Sequence, residues 1–368
     1  MKVYLFACIE KNIGDDLFVK LLCERYPNVD FVITTQARYG SLAKIPNLHF
    51  SKVLERWMWV SGVNPSNPIK KLIAVCLKKL YKCILPKHPV GISIVGNAFK
   101  NMDYTGWQQS QWIRERIRLV KRFYLISTNF GPYADAQWKK DFDRIYPQMA
   151  DVCFRDRYSY DLFRQLPNAR FAPDAVISIG EQPNQSAGKK NVIISLIDCA
   201  FRARSEKLRA AAPEFEEKMV QTAKRFLADG YKVTFLNSNT EQDRPACDRI
   251  LAALGDQEKV EVLDYEGDLE SVFQLYKEAS CVVATRLHTI VLAWLHRIPV
   301  VPIVYDIKVG NLLQACGFDA DKYDITDLTQ VTAEDIYASA QKYAFTLSEE
   351  IISQSQQQFQ EIDKEFLS

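Results

Sequence analysis

The segment Cys281–Lys308, CVVATRLHTIVLAWLHRIPVVPIVYDIK, decides how this chain is organised. It opens with a short apolar run, Cys281 to Ala284. Thr285-Arg286-Leu287-His288 follows, then a helical pattern through about His296. Pro299 stops that helix, and a second β-type run covers Val300 to Val304. The pattern reads as strand, tight turn, helix, strand. In an open parallel sheet, ligands collect at the carboxyl ends of the strands. Arg286 and His288 stand just past the first strand and Lys308 just past the second. If the strands are parallel neighbours, all three reach one edge, where the free N–H groups of a helix start also favour anions. An arginine, a lysine and a histidine on one such rim suit a phosphate or carboxylate substrate that needs a proton.

The same alternation extends over nearly the whole chain. Candidate strands are Lys2–Ala7, Asp30–Thr34, Gly91–Val95, Phe123–Ser127 and Val152–Phe154, then Asn191–Leu196, Lys232–Leu236, Val260–Leu263, Cys281–Ala284 and Val300–Val304. Helical stretches between them include Asp16–Arg25, Trp107–Lys121, Glu206–Ala228, Asp243–Leu254 and Asp268–Lys277. Strand–helix alternation implies an α/β protein with parallel sheets covered on both faces. The polar stretch 180–190, GEQPNQSAGKK, reads as an interdomain linker. Two Rossmann-like, doubly wound domains facing a cleft are expected, over 1–182 and 190–345. A helix over 346–368 can pack back on the first.

At 368 residues the chain is long enough for two domains and two cores. Its net charge of +2 gives no global pull toward nucleic acid. No apolar run approaches the ~18 residues of a membrane span. The start, MKVYLFACIE, lacks the cleavage pattern of a signal peptide and reads better as a first strand. Nine cysteines, odd in number and without a CxxC pair, read as reduced and buried in a cytoplasmic protein. Four histidines with no HExxH pattern give little support for a metal site.

Other strand ends carry polar turns. Asn12-Ile13-Gly14-Asp15-Asp16 follows the first strand, where Gly14 permits close backbone approach and either aspartate can cap a helix. Thr128-Asn129-Phe130-Gly131-Pro132 follows the fourth. Arg155-Asp156-Arg157-Tyr158-Ser159 follows the fifth, and Asp174 lies in APDAV. Each has an ordinary reading as a cap or turn. Arg155 carries more weight, because it leaves a strand on the binding edge.

These motifs together resemble the polysaccharide pyruvyl transferase family. The likeness runs from NIGDD near the start to just past GNLLQACGF. Its specific parts are RDRYS at 155–159, APDAV at 172–176 and TRLHTIVLAWLHRIPVVPIVYDIKVGNLL at 285–313. The resemblance implies a GT-B-like fold and transfer of pyruvate from phosphoenolpyruvate to a sugar as a cyclic ketal, with phosphoenolpyruvate as co-substrate and no cofactor. By matching motifs, Arg155, Arg286 and Lys308 are donor-site residues beside His288. The first domain becomes the acceptor side, with Asn12, Asp16 and Asn97 as acceptor contacts, and the second the donor side. After Val95 the chain has only Gly96-Asn97 where relatives often carry a glycine-rich loop, so its acceptor contacts depart from the family there.

The residue types fit that chemistry. Cationic side chains can hold the donor's carboxylate and phosphate. C3 of the enol must gain a proton before C2 becomes electrophilic, and a histidine, with an unperturbed pKa of about 6.5, is a natural general acid. Asp15, Asp16 or Asp174 can serve as the base for the attacking hydroxyls.

A second feature lies between Arg56 and Met102, a stretch with no Asp or Glu. Pro68-IKKLIAVCLKKLYKCIL-Pro86 reads as a helix. Lys70, Lys71, Lys78, Lys79 and Lys82 share one half of its wheel, while Ile69, Leu72, Ile73, Cys76, Leu77, Leu80, Cys83 and Ile84 share the other. Trp57 and Trp59 stand upstream. Such a helix either covers a core with its lysines in water or lies on an anionic membrane. The second reading makes the protein peripheral on the inner face of the plasma membrane, with an acceptor that can be a lipid-diphosphate-linked oligosaccharide.

Two other functions compete. A nucleotide-sugar glycosyltransferase of this fold often grips ribose through a Glu, yet no Glu occurs from Arg286 to Asp321. A non-catalytic glycan-binding homologue is disfavoured by Arg155, Arg286, His288 and Lys308 occurring together.

Overall fold

The apolar runs become strands because helices cover both faces of each sheet, so side chains on either side of a strand enter a core. The computed structural model describes residues 1–62, 67–96, 99–101, 106–201, 205–342 and 345–367. Its strands are β1 Lys2–Ala7, β2 Asp30–Thr34, β3 Leu48–Ser51, β4 Val90–Ile94, β5 Phe99–Asn101, β6 Arg122–Thr128, β7 Phe130–Tyr133, β8 Asp151–Phe154 and β9 Ala169–Phe171, then β10 Asn191–Ser195, β11 Lys232–Asn237, β12 Val260–Asp264, β13 Cys281–Ala284, β14 Val300–Val304 and β15 Tyr323–Asp324. Four helices matter below: α1 Ile13–Arg25, α2 Lys52–Gly62, α3 Pro68–Ile84 and α4 Gly106–Ile117.

The chain divides into two units. Unit 1 comprises Met1–Ile9, Asp15–Ala175 and Gln354–Ser368; unit 2 comprises Glu10–Gly14 and Val176–Ser353. Unit 1 is built on a parallel sheet ordered β3-β2-β1-β4-β6-β8-β9, with β5 and β7 paired separately. Unit 2 has a parallel sheet ordered β12-β11-β10-β13-β14-β15. Counted within the unit this is 3-2-1-4-5-6, the doubly wound order whose direction reverses between β10 and β13. β13 pairs with both β10 and β14, with Ala284 opposite Ser195 and Pro302. The fold class is therefore the expected one: two Rossmann-like units.

The division between the units falls before Val176, ahead of the polar stretch 180–190. That stretch is held down on unit 2. Gln182 N donates to Leu295 O at 2.8 Å and Gln185 N to Lys277 O at 2.7 Å. In unit 1, the C-terminal Gln358 is fully buried; its Nε2 donates to Ala172 O at 2.7 Å and its Oε1 accepts from Ser127 N at 2.8 Å. Asp363 takes two hydrogen bonds from Arg25, at 3.0 and 2.7 Å.

The basic helix forms as α3, started by Asn67. The Asn67 side chain accepts from Ile69 N and Lys70 N, and Pro68 takes the first helical position. Its orientation matches neither reading of the sequence in full. No residue of α3 is fully buried, and of its side chains Tyr81 is the one packed against the unit 1 core. The side turned to the protein is Ala74, Leu77, Lys78 and Tyr81, each half-buried. Lys78 reaches Glu115 at 3.1 Å and Lys82 donates to Arg118 O at 3.1 Å, so two of the lysines expected to face a membrane turn toward the end of α4. Lys70 and Lys71 stay exposed, as do Cys76 and Cys83.

Candidate active site

β13 ends in Ala284, and Thr285 ties the strand end to its neighbour. Its Oγ1 donates to Ser195 O at 2.9 Å, at the point where the strand order reverses. Arg286 is the N-cap residue of the Leu287–Leu295 helix, but its side chain caps nothing. The guanidinium instead forms an ion pair with Asp243, which has no exposed surface and also accepts from Asn239 N at 3.1 Å. Burial works against the charge on Arg286. Asp243, and the hydroxyl of Tyr305, more than offset it and raise its pKa. Arg286 is thus a fixed cation that braces the strand end against the Thr240–Leu254 helix.

His288 is the second residue of the Leu287–Leu295 helix and is half-buried. Its ring lies on the backbone of Gly14: a Cβ at Gly14 would sit 1.8 Å from His288 Nδ1. Only glycine admits the ring there. The segment carrying Gly14 belongs to unit 2, although it follows the first strand of unit 1. Asn12 bridges Asn239, Ile13 N donates to Ser238 O at 3.2 Å, and Lys11 pairs with Glu266. Asn12 Oδ1 also accepts from Gly14 N at 3.0 Å, shaping the turn that brings Gly14 to His288. Lys308 leaves the same sheet edge after β14, in the first turn of the Ile307–Ala315 helix, whose N-cap is Asp306. It is half-buried, with its Nζ 5.3 Å from the Tyr305 ring centre.

Unit 1 presents a different edge. Arg155 follows β8 and is almost fully buried. Its Nη1 meets Asp174 Oδ2 at 2.7 Å, and its Nε donates to Asn129. Asn129 in turn donates to Asp156, which caps the Arg157–Phe163 helix by accepting from Ser159 N at 2.8 Å. Gly96 closes over the guanidinium, since a Cβ there would lie 2.9 Å from Nη1. Asp174 has no exposed surface.

Asp16 is also fully buried and accepts a 2.6 Å hydrogen bond from Tyr39. Asp15 is half-buried in the first turn of α1. Asn97 lies outside the described residues. The structure therefore gathers Asn12, Arg286, His288 and Lys308 on unit 2, and Asp15, Asp16, Arg155 and Asp174 on unit 1. Among the described residues no group of three or more His, Cys, Asp or Glu side chains is arranged to hold a metal ion. Asp243 escaped sequence reading because an Asp in a helix's first turn is ordinary; its position in the chain does not show that it faces Arg286.

Comparison with known proteins bears on the family and the fold. The family model described as polysaccharide pyruvyl transferase matches residues 12–307. Among solved structures, the chain is similar to the UDP-GlcNAc 2-epimerase of Methanocaldococcus jannaschii, with a TM-score of 0.56 at 9% identity over 99% of this chain and 100% of that one. It is similar also to Anabaena Alr3699/HepE, solved in complex with UDP and glucose, with a TM-score of 0.54 at 11% identity over 100% of this chain and 99% of that one. At such identities these two speak for the fold alone, which is of the GT-B type.

Proposed function

The chain belongs to the polysaccharide pyruvyl transferase family, and from that membership we propose that it moves pyruvate from phosphoenolpyruvate to a sugar of a bacterial surface polysaccharide or of its lipid-linked precursor. The observation that carries the site assignment is the seating of His288 against Gly14 at the head of a helix on the unit 2 sheet edge. A histidine fixed there suits a general acid, and Lys308 on the same edge suits the donor's anionic groups. Arg286 adds a fixed positive charge behind them, though its ion pair with Asp243 makes it a positioning residue more than a grip. Arg155 and Asp174 neutralise one another inside unit 1, so the reading rests on the unit 2 edge.

In this mechanism His288 donates a proton to C3 of the enol, turning the methylene into a methyl group. C2 becomes electrophilic, and one sugar hydroxyl adds to it and loses its proton. The C2–O bond to phosphate breaks, and a second hydroxyl of the same sugar adds to C2 and loses its proton. One of these two protons restores His288; the other leaves with phosphate. Asp16 and Asp174 have no exposed surface, which leaves Asp15 as the base on this reading.

The test is to incubate the protein with phosphoenolpyruvate and a panel of sugar acceptors in D2O. Phosphate release, a product heavier by pyruvate less water, and one deuterium in the new methyl group are expected. Phosphate release with no such product on any acceptor counts against ketal transfer, and a methyl group without deuterium counts against a solvent-exchanging acid such as His288 as the source of the proton at C3.

A further inference from the structure

The α2–α3–α4 face of unit 1 is assigned no role by the chemistry above. α3 turns Ile69, Leu72, Ile73, Val75, Leu80 and Ile84 to solvent, each between 39% and 70% exposed. A large exposed apolar stripe on a soluble surface is unusual and marks an interaction surface. Trp59 of α2 and Trp112 of α4 extend it, at 71% and 40% exposed. Lys70, Lys71 and Lys79 are exposed on the same helix, which carries no acidic residue.

Beside the tryptophans is a cavity of about 340 Å³ whose lining includes Arg56, Trp57, Trp59, Ser61, Trp112 and Arg116. The Glu55 carboxylate also lines it and is engaged by the Thr35 hydroxyl, while two other polar groups there have no partner among the described residues. Trp57 Nε1 and Ser61 Oγ are buried without a hydrogen-bond partner among the described residues. Arg116 has no carboxylate partner among the described residues; its guanidinium lies 5.1 Å from the Phe6 ring centre. Its side chain keeps some surface, yet its charge is far enough from water that desolvation pulls its pKa down to about 10. Unmatched donors around a cationic centre fit a phosphate group, which only accepts.

We propose that this face docks on an anionic bilayer, with α3 lying in the interface plane, its apolar stripe among the acyl chains, and the cavity beneath Trp59 and Trp112 taking the phosphate of a lipid headgroup. The occupant follows from charge and shape together: an apolar stripe flanked by lysines and tryptophans is what an interfacial helix presents, and the donor-lined cavity sits at its border. The lysines act in concert with the stripe; Lys78 and Lys82, engaged with α4, contribute less. This inference stands apart from the donor chemistry, since it concerns only unit 1 and needs no substrate.

The experiment is co-sedimentation of the full chain with vesicles of phosphatidylcholine, with and without phosphatidylglycerol, read beside quenching of tryptophan fluorescence by lipids brominated on their acyl chains. Binding that requires phosphatidylglycerol, with quenching, is expected. The triple change Leu72→Gln, Ile73→Gln, Leu80→Gln should weaken partitioning by about a hundredfold or more, because burying one such side chain is worth on the order of tenfold. Each of Lys70→Gln, Lys71→Gln and Lys79→Gln should weaken it by about fivefold at low salt. Arg116→Gln should weaken binding to phosphatidylglycerol vesicles while circular dichroism stays unchanged. Turnover on a short soluble acceptor should persist in all of these variants. Three outcomes overturn the proposal. The first is wild-type protein that ignores phosphatidylglycerol vesicles, or a triple variant that binds them as well as wild type. The second is a dimer, seen by light scattering, that the triple change dissociates without any vesicle binding in either form. The third is glycerol phosphate alone protecting the tryptophans from a soluble quencher as fully as vesicles do, which would make the cavity a site for free phosphate esters.

Discussion

Both units place an arginine just beyond a strand of the central sheet and pair it with an aspartate that has no exposed surface: Arg155 with Asp174 in unit 1, Arg286 with Asp243 in unit 2. What differs is the company these pairs keep. Around Arg155 every neighbour turns inward, through Asn129, Asp156 and the cover of Gly96. Around Arg286 the same edge carries two half-buried groups that can meet a ligand, His288 and Lys308. An arginine at a strand end is therefore weak evidence of a binding site until its partners are known. On the proposed reading, the residues standing beside the ion pair carry the chemistry.

The largest effect is expected where that internal pairing is broken. Asp174→Ala leaves the Arg155 guanidinium buried without its carboxylate, and loss of one partner of a buried pair costs about 3–5 kcal/mol. Chemical denaturation should show it as a lower midpoint. Replacing both partners with apolar residues of similar volume should recover most of the loss. If Asp174→Ala leaves the midpoint unchanged, the unit 1 edge is not internally closed and the contrast with unit 2 fails.

Next in size is the reverse case, activity lost with little stability. His288→Ala should lower turnover by roughly 10²-fold, the scale for losing a general acid, with an unchanged denaturation midpoint. Gly14→Ala should do comparable damage, since its Cβ would collide with the imidazole. In a His288→Ala background the added Gly14→Ala change should cost little more, because both act through one side chain. Full additivity in that cycle would separate Gly14 from His288. Smaller again is Lys308→Ala, for which a rise of about tenfold in the KM for phosphoenolpyruvate is expected, on the scale of one charge-assisted contact. A fall in kcat with KM unchanged would move Lys308 from donor binding to the chemical step.

How far the sequence shows this depends on the length scale of each feature. β13 and β14 have the ends read from their apolar runs, because Pro299 and the polar turn at Thr285 punctuate them. The short strands β3, β9 and β15 went unread: two to four residues carry no periodicity of their own, and the neighbouring strand decides that they pair. The edge bearing Arg286, His288 and Lys308 was legible, since strand ends in one parallel sheet share an edge. Their partners were not. Asp243 lies 43 residues before Arg286, and Gly14 comes from the far end of the chain. The wheel of α3 separated its lysines from its apolar side, but not which side would meet α4; Glu115, outside the acid-free stretch, drew Lys78 inward.

The smallest effect concerns a second histidine on the same helix as His288, and it sharpens the comparison from within unit 2. His296 is the C-cap of the Leu287–Leu295 helix and is 2% exposed. Its Nδ1 lies 2.8 Å from Pro183 O, which makes Nδ1–H the donor, and its Nε2 is buried with no hydrogen-bond partner among the described residues. Protonation would place a charged N–H where nothing accepts it, so burial holds its pKa below the ordinary histidine value, partly offset by the Pro183 carbonyl. The sign follows. Above about pH 6.5, the unfolded histidine's pKa, His296 is neutral in both states and its contribution is fully present. As pH falls below that value the unfolded chain takes up the proton first, and stability is lost by up to about 1.4 kcal/mol per pH unit until the folded pKa is reached. His296→Gln keeps a donor for Pro183 O without the titration. The stability gap between wild type and His296→Gln should therefore shift against wild type between pH 7.5 and 5.5. A gap for His296→Gln that stays constant with pH would mean that this histidine is not held neutral by its surroundings.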